Sequence, residues 1–369
     1  MVYASTSSPQ ALIDPLSAAH YFLPYQAATI PGLTLRAKFT RYSDDSVNAP
    51  AEGTPVVSLV LAIGLGLASE LWIPFIHRIY EIQRRKEGRT FQIMSIWTID
   101  FANHGGAAVL NAEALTTHFS ERFPTSEKTI AVDSFLSSSL LSAVEKANLV
   151  AVGHSGGGGG AFWSTLGMTP GQTSPFKTVI LVEPPTFSQD DLPIFNAVVR
   201  AIAKFNRMKP DFWENVDEAM EFVRTFPPGS SFHEDVLAVM KETNFRPDTR
   251  EIDGHQVAGV TTIMPIAQET ASFHKNGETS IWIWNHMKNV SLPNSLFRLH
   301  VIIGSTPGFG PKALADSVSN EIFSNKELFA SLSTIQDTDH YVPQEKPYEL
   351  AARIYEILQQ ESRREVARL

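Results

Sequence analysis

The stretch Gly153-His154-Ser155-Gly156-Gly157 limits what this chain can fold into more than any other, because it directly follows the apolar run Asn148-Leu149-Val150-Ala151-Val152. A short apolar run ended by glycine predicts a buried strand, and the glycines predict a sharp turn with Ser155 at its apex. Side chains two before or two after that serine would collide with the neighbouring strand or helix, so only small residues permit the strained, exposed conformation. The segment from Gly158 to Gly167 reads as the helix that follows. A serine at the start of a helix is a candidate nucleophile once a base and oxyanion donors are found for it. The glycines Gly156 to Gly160 also have two other readings, a flexible linker and a phosphate-binding loop. A phosphate loop wants Lys-Ser/Thr after its glycines, and none follows; a linker wants polar flanks, whereas Val152 and Phe162-Trp163 stand here.

At 369 residues the chain suits one large α/β domain with an insertion. Its 43% hydrophobic and 19% charged residues are those of a globular protein with a substantial core. A net charge of −9 argues against nucleic acid as a partner. The basic cluster Arg84-Arg85-Lys86-Glu87-Gly88-Arg89 reads as a solvated loop, with a docking spot for an anion as the other reading. The absence of cysteine excludes disulfides, a thiol nucleophile and Cys-ligated metals. Met1 to Ala19 lacks the basic start and apolar core of a secretory signal. Gly53 to Ser69 is uncharged and apolar, but Pro55, Gly64 and Gly66 interrupt it and it falls short of the ~20 residues of a membrane span. A central strand with its following loop is expected there. The tripeptide Ala367-Arg368-Leu369, after the charged stretch Glu361 to Glu365, matches a receptor-read peroxisomal address of the Ser-Lys-Leu type. Peroxisomal matrix localisation and the import receptor as a partner are the corresponding expectations, against an ordinary helix end.

A buried strand is expected at Val56 to Ala62, and further strands at Gln92 to Asp100, Thr178 to Glu183, Leu296 to Gly304 and Ser331 to Ile335. Helices are expected at about Leu71 to Glu87, Ser134 to Ala147 and Tyr348 to Gln359. Alternating strands and helices predict a mostly parallel sheet with right-handed crossovers. Between Thr186 and Asn294 charged and aromatic residues dominate and parallel-type strands are absent. The expected organisation is a core over 1–185 and 295–369 with a mainly helical cap over 186–294.

A serine nucleophile needs a base that works near neutral pH, which in practice means histidine. His340 lies between the last strand and the last helix; His300, inside an apolar strand, reads as structural. An acid must then orient the imidazole. The loop Gly304 to Gly310 holds no carboxylate, whereas Glu183 ends an apolar strand, at the edge of a parallel sheet where sites form. Asp337 and Asp339 are the alternatives, and their closeness to His340 suits loop capping better. Two backbone N–H groups should form an oxyanion hole, one from Gly156 and one from the Ile63-Gly64-Leu65-Gly66-Leu67 loop, at Leu65. No histidine pair has metal-ligand spacing on a helix, so neither metal nor cofactor is expected.

With these residues in place the chain resembles the α/β-hydrolase superfamily over nearly its whole length. It is most similar to the fungal branch of AK-toxin biosynthesis hydrolases and the peroxisomal acyl-CoA hydrolase of mycophenolic acid biosynthesis. The branch's His-Gly-x-Gly-x-x-Lys-Glu-x-Trp-x-Pro run corresponds to Ile63-Gly64-Leu65-Gly66-Leu67-Ala68-Ser69-Glu70-Leu71-Trp72-Ile73-Pro74, and its strand-end Asp-x-x-x-His-Gly to Asp100 through Gly105. The acid after Val182 and the base after Asp339 match too, and the resemblance supports Glu183. Ile63 replaces the usual histidine, Ser69 the usual lysine, and Gly106-Ala107 a polar pair. These departures imply altered substrate choice or slower turnover.

The expected activity is hydrolysis of an ester or thioester by Ser155, His340 and Glu183. Peroxisomal targeting favours an acyl-CoA thioester, and the resemblance implies a precursor of a fungal toxin or secondary metabolite. Phe195, Phe205, Phe212, Trp213 and Phe222 suit a fatty or polyketide acyl chain, or else form the cap's own core. A lactonase, a carbon–carbon bond hydrolase or a cyclising acyltransferase would use the same residues, and a non-catalytic ligand-binding protein is the reading from another class. Serine at the elbow, where an epoxide hydrolase carries aspartate, disfavours that activity.

Overall fold

The computed structural model describes residues 3–5, 10–47, 50, 53–163, 174–274, 276–290, 297–306 and 310–367. Its strands are, in chain order, β1 (Tyr3–Ser5), β2 (Ser17–Gln26), β3 (Thr34–Ser43), β4 (Val56–Ala62), β5 (Gln92–Asp100), β6 (Leu149–His154), β7 (Thr178–Val182), β8 (Phe245–Ile252), β9 (His255–Thr262), β10 (Arg298–Gly304) and β11 (Ser331–Ile335). Nine of them form one sheet in the order β1-β2-β3-β5-β4-β6-β7-β10-β11. From β5 to β11 all neighbours pair in parallel, and β1, β2 and β3 extend the sheet antiparallel.

The apolar runs sit at the middle of this sheet because both of its faces are covered. Side chains alternate between faces along each strand. Leu59, Leu61, Val150, Val152 and Ile180 meet Phe75, Ile76 and Ile79 of the helix Ile73–Arg85 and Leu350 and Ile354 of the helix Pro347–Val366. On the other face Val60, Ala62, Ala151, Val179 and Val301 pack with Ala131, Val132 and Phe135 of the helix Thr125–Ser137, and with Ile283 and Trp284. The chain leaves β4 toward β5 on one side and β6 on the other, so the crevice beyond their carboxyl ends is a topological switch point where ligands bind.

Some elements differ from the sequence expectation. The helix expected over Ser134 to Ala147 is two, Thr125–Ser137 and Ala143–Lys146. Ser138 breaks it by donating to the Phe135 carbonyl and accepting from the Leu140 N–H, and a Ser142–Glu145 capping box starts the second piece. β1, β2 and β3 have no counterpart among the expected strands, because their residues mix polar and apolar types. Between β7 and β10 lie helices, chiefly Leu192–Met208, Val216–Thr225, Glu234–Thr243, Ile266–Phe273 and Gly277–Val290, together with the antiparallel hairpin β8–β9. That hairpin turns at Asp253-Gly254, both in left-handed conformation, the usual chemistry of a two-residue turn.

Candidate active site

Every candidate residue lies beyond the carboxyl end of a parallel strand. Ser155 follows β6 and opens the helix Ser155–Trp163, with φ at 49°, a left-handed value that strains a serine. The flanking glycines permit the turn: a Cβ on Gly153 would run into Gly158 of the helix, and one on Gly157 into the Ile63 carbonyl beyond β4. Glu183 follows β7, also left-handed, with φ at 51°.

His340 arrives on the loop after β11 and is 8% exposed. Its Nε2 stands 2.8 Å from Ser155 Oγ, and its Nδ1 stands 3.3 Å from Glu183 Oε2. The second Glu183 oxygen accepts the Gly304 N–H at 2.6 Å, which anchors the carboxylate to the end of β10. With Nδ1–H facing a carboxylate, Nε2 is the bare nitrogen that can take a hydroxyl proton. Asp339 is engaged otherwise, its Oδ1 accepting the Tyr341 N–H at 3.0 Å, while the Asp337 N–H donates to Ser305 Oγ at 3.0 Å. Burial pushes the Asp339 carboxyl up.

Leu65 and Gly156 are brought together at the same opening. The Leu65 side chain occupies the space a Cβ on Gly156 would need, and both residues line the cavity that holds Ser155 and His340. Gly156 lies in the first turn of a helix, where N–H groups lack intrahelical acceptors, and the Leu65 N–H finds no acceptor among the described residues.

The Leu65 loop is held from below by groups that motif reasoning did not assign. His104 Nε2 accepts the Gly66 N–H at 3.2 Å, and its Nδ1 lies 2.7 Å from Asn103 Oδ1. Asp100 Oδ1 accepts the Ser69 N–H at 2.8 Å. Lys38, from β3, is ion-paired with Glu70 and lies 3.7 Å from Asp100 Oδ2. Burial works to lower the Lys38 pKa, but the two carboxylates overcome it and raise it; burial and Glu70 push Asp100 up to about 6. Burial and nearby Lys128 hold His104 down at about 3, so it is a neutral acceptor for the loop. Ile63 itself is buried in the apolar layer. The loop is thus anchored without a histidine at 63. In the sequence this support shows only as the Asp100-x-x-x-His104-Gly105 spacing and the Ser69-Glu70 pair of the loop motif, because Lys38 lies on a strand without an apolar run.

Above Ser155 is a cavity of about 80 Å³ walled by Leu65, Pro184, Phe187, Phe195, Phe273 and Leu314. A second of about 820 Å³ is walled by Ile202, Phe205, Trp213, Phe222, Phe226 and Phe232, and Leu65 and Phe273 border both. Of the aromatics singled out in the sequence, Phe195 faces the first and Phe205, Trp213 and Phe222 the second. Phe212 instead packs under Arg250, whose guanidinium lies 4.9 Å from its ring centre. Among the described residues no cluster of His, Asp or Glu could hold a metal ion, and no helix is long and apolar enough to cross a membrane.

No family model matches the chain, and no curated protein matches it. Solved structures do, and with the sheet order they define an α/β-hydrolase fold. The peroxisomal α/β-hydrolase Lpx1 from Saccharomyces cerevisiae is 17% identical, with a TM-score of 0.70 over 95% of this chain and 90% of that one. A thioesterase domain from the curacin biosynthetic pathway is 13% identical, with a TM-score of 0.56 over 92% of this chain and 99% of the other.

Proposed function

We propose that the protein is a serine hydrolase that cleaves an ester or thioester of an apolar acyl group. Ser155 attacks the carbonyl carbon, and His340 takes its proton and returns it to the leaving group. Glu183 holds the imidazole in the required tautomer and stabilises the imidazolium. The N–H groups of Gly156 and Leu65 receive the oxyanion. Water then repeats the sequence on the acyl-enzyme. The observation that carries this reading is the Ser155 Oγ–His340 Nε2 contact of 2.8 Å, backed by Glu183, in a cavity with apolar walls. The thioesterase named for the curacin domain is of the same reaction class.

The substrate favoured is an acyl-CoA thioester with a fatty or polyketide chain, a choice that rests on the peroxisomal address and on the resemblance to the fungal branch. The large cavity is of the size that holds such a group. On its rim the helix Leu192–Met208 contains no acidic residue and exposes Arg200, Lys204 and Arg207, one helical stripe with no ion-pair partner among the described residues. Such a stripe, next to the cavity-lining Ala197 and Ala201, suits the phosphates of a coenzyme A leaving group. The division into a core over 1–185 and 295–369 and a cap over 186–294 belongs to the same proposal, with the cap forming the cavity's outer wall. Peroxisomal matrix localisation rests on Ala367-Arg368-Leu369, of which Arg368 and Leu369 lie outside the described residues, and on the location named for Lpx1. A fluorescent fusion with and without the tripeptide tests it.

The first test is hydrolysis of acyl-CoAs, the matching N-acetylcysteamine thioesters and oxygen esters by wild type and Ser155→Ala. Turnover that vanishes in the variant is expected, with KM lowest for the CoA series and raised by Arg200→Glu/Lys204→Glu. Equal KM for both thioester series would refute the coenzyme A assignment alone. No turnover of any substrate and no fluorophosphonate labelling of Ser155 would refute the hydrolase.

A further inference from the structure

We infer that His154, the residue before the elbow serine, is a positioning residue whose single imidazole registers the nucleophile turn, the oxyanion loop and the base loop against one another. The inference rests on the reading of Ser155 as nucleophile and His340 as base.

His154 is the last residue of β6 and fully buried, and its backbone is fixed in the sheet opposite Val182. Its Nε2 lies 2.8 Å from the main-chain carbonyl oxygen of His340. A carbonyl only accepts, so Nε2 carries the proton and Nδ1 is bare. Nδ1 has no hydrogen-bond partner among the described residues, and the ring packs on the oxyanion loop. A Cβ on Gly64 would sit 2.7 Å from Nδ1 and 2.9 Å from Cε1, so the loop comes this close only because residue 64 is glycine. The ring centre is 5.3 Å from that of His340 and 6.4 Å from that of Tyr341.

One side chain therefore touches all three segments whose relative placement the chemistry depends on. The strand end supplies a rigid origin, the N–H bond sets where the His340 backbone stands, and the Nδ1–Cε1 side of the ring sets how close the Leu65 loop approaches. His104 acts on the same loop from the other side in the opposite tautomer, accepting from Gly66 through Nε2. Packing alone does not explain a histidine at 154. A buried imidazole with one nitrogen unpartnered among the described residues carries a desolvation cost that an apolar filler would not. Burial, with His340 nearby, holds it at about 3, so the clasp is made by a neutral ring throughout the physiological range.

Two measurements on the full chain test this. The first is independent of activity: ¹⁵N-histidine spectra of the wild type, assigned by difference from His154→Gln. They should show the His154 ring fixed as the Nε2–H tautomer from about pH 5 to 8. An Nδ1–H tautomer, or titration like a free imidazole, overturns the clasp. The second is the rate of Ser155 labelling by a fluorophosphonate, read beside circular dichroism. His154→Leu should label about 10²-fold more slowly with its fold intact, the loss that follows a misplacement of about 1 Å. His154→Gln, whose amide N–H reaches as far as imidazole Nε2, should recover most of the rate, and the shorter His154→Asn should not. A packing role would reverse that order, favouring Leu over Gln, and labelling of His154→Leu at the wild-type rate would overturn the inference. Should His154→Leu not fold, the Gln and Asn comparison still decides. A wild type that fails to label refutes the nucleophile reading instead, and the tautomer spectra still report whether the clasp exists.

Discussion

The two buried histidines that brace the site make the protein's stability depend on pH in a way that can be calculated. Burial holds both His104 and His154 at about 3, against 6.5 for a free imidazole. A folded-state pKa below the unfolded one means the unfolded chain takes up a proton that the native chain refuses. The stability that depends on these rings is therefore complete above about pH 6.5 and is lost progressively as pH falls toward about 3. Inside that window each ring costs about 1.36 kcal/mol per pH unit. At pH 5 the loss is about 2 kcal/mol per histidine and about 4 kcal/mol for the pair, a large share of the ~5–15 kcal/mol that stabilises a typical domain. Asp100, pushed up to about 6, works in the opposite direction, because there the native chain holds the extra proton. The assay must therefore isolate one ring. Urea unfolding of wild type and His154→Gln at pH 7 and pH 5 does so, since every other group is common to both. Wild type should lose about 2 kcal/mol more than the variant between the two pH values. Equal losses would mean that His154 titrates in the fold as it does in water, and the reasoning from burial would be refuted.

Other expectations follow from particular contacts. Glu183→Gln removes the charge facing His340 Nδ1 and should slow Ser155 labelling and turnover by about 10²–10⁴-fold; an unchanged rate would move the acid to another carboxylate. Gly157→Ala drives a methyl group into the Ile63 carbonyl and should cost about 1–3 kcal/mol in thermal or urea unfolding, whereas an unchanged midpoint would show that the elbow and the β4 end can part freely. Ala201→Trp partly fills the large cavity and should abolish turnover of long acyl chains while sparing short ones; an even loss across chain lengths would show that the acyl group lies elsewhere.

Much of the fold and of the candidate site was legible because the informative residues are those whose local chemistry admits few alternatives. The runs ending at Ala62, Asp100 and Val182 read as buried strands and are interior to the sheet, the half-exposed run ending at Ile335 forms its edge, and all four ends correspond within a residue or two. Glycine on both sides of Ser155 announced a backbone that other residues resist. What stayed hidden has physical reasons as well. β2 is exposed or half-exposed along most of its length and β3 buries the polar Lys38 and Thr40, so neither shows an apolar run, and the Asp253-Gly254 turn lay in a stretch whose mixed residues gave no strand signal. Ser138 divided a helix through hydrogen bonds that hydrophobic spacing does not register.

The sequence by itself determined the parallel sheet, the turn at Ser155, and the candidate set of Ser155, Glu183 and His340 with Gly156 and Leu65. These follow from residue type and from what lies a few positions away, which the chain carries locally. Only the tertiary structure decided that His340 meets Glu183 while Asp339 turns back to its own loop. Only there do His104 and Lys38 reach under the oxyanion loop, and only there does His154 face both Gly64 and the His340 carbonyl. Those relations join residues tens to hundreds of positions apart, and such distances collapse to contact only when β3, β5, β4, β6, β7, β10 and β11 align in one sheet.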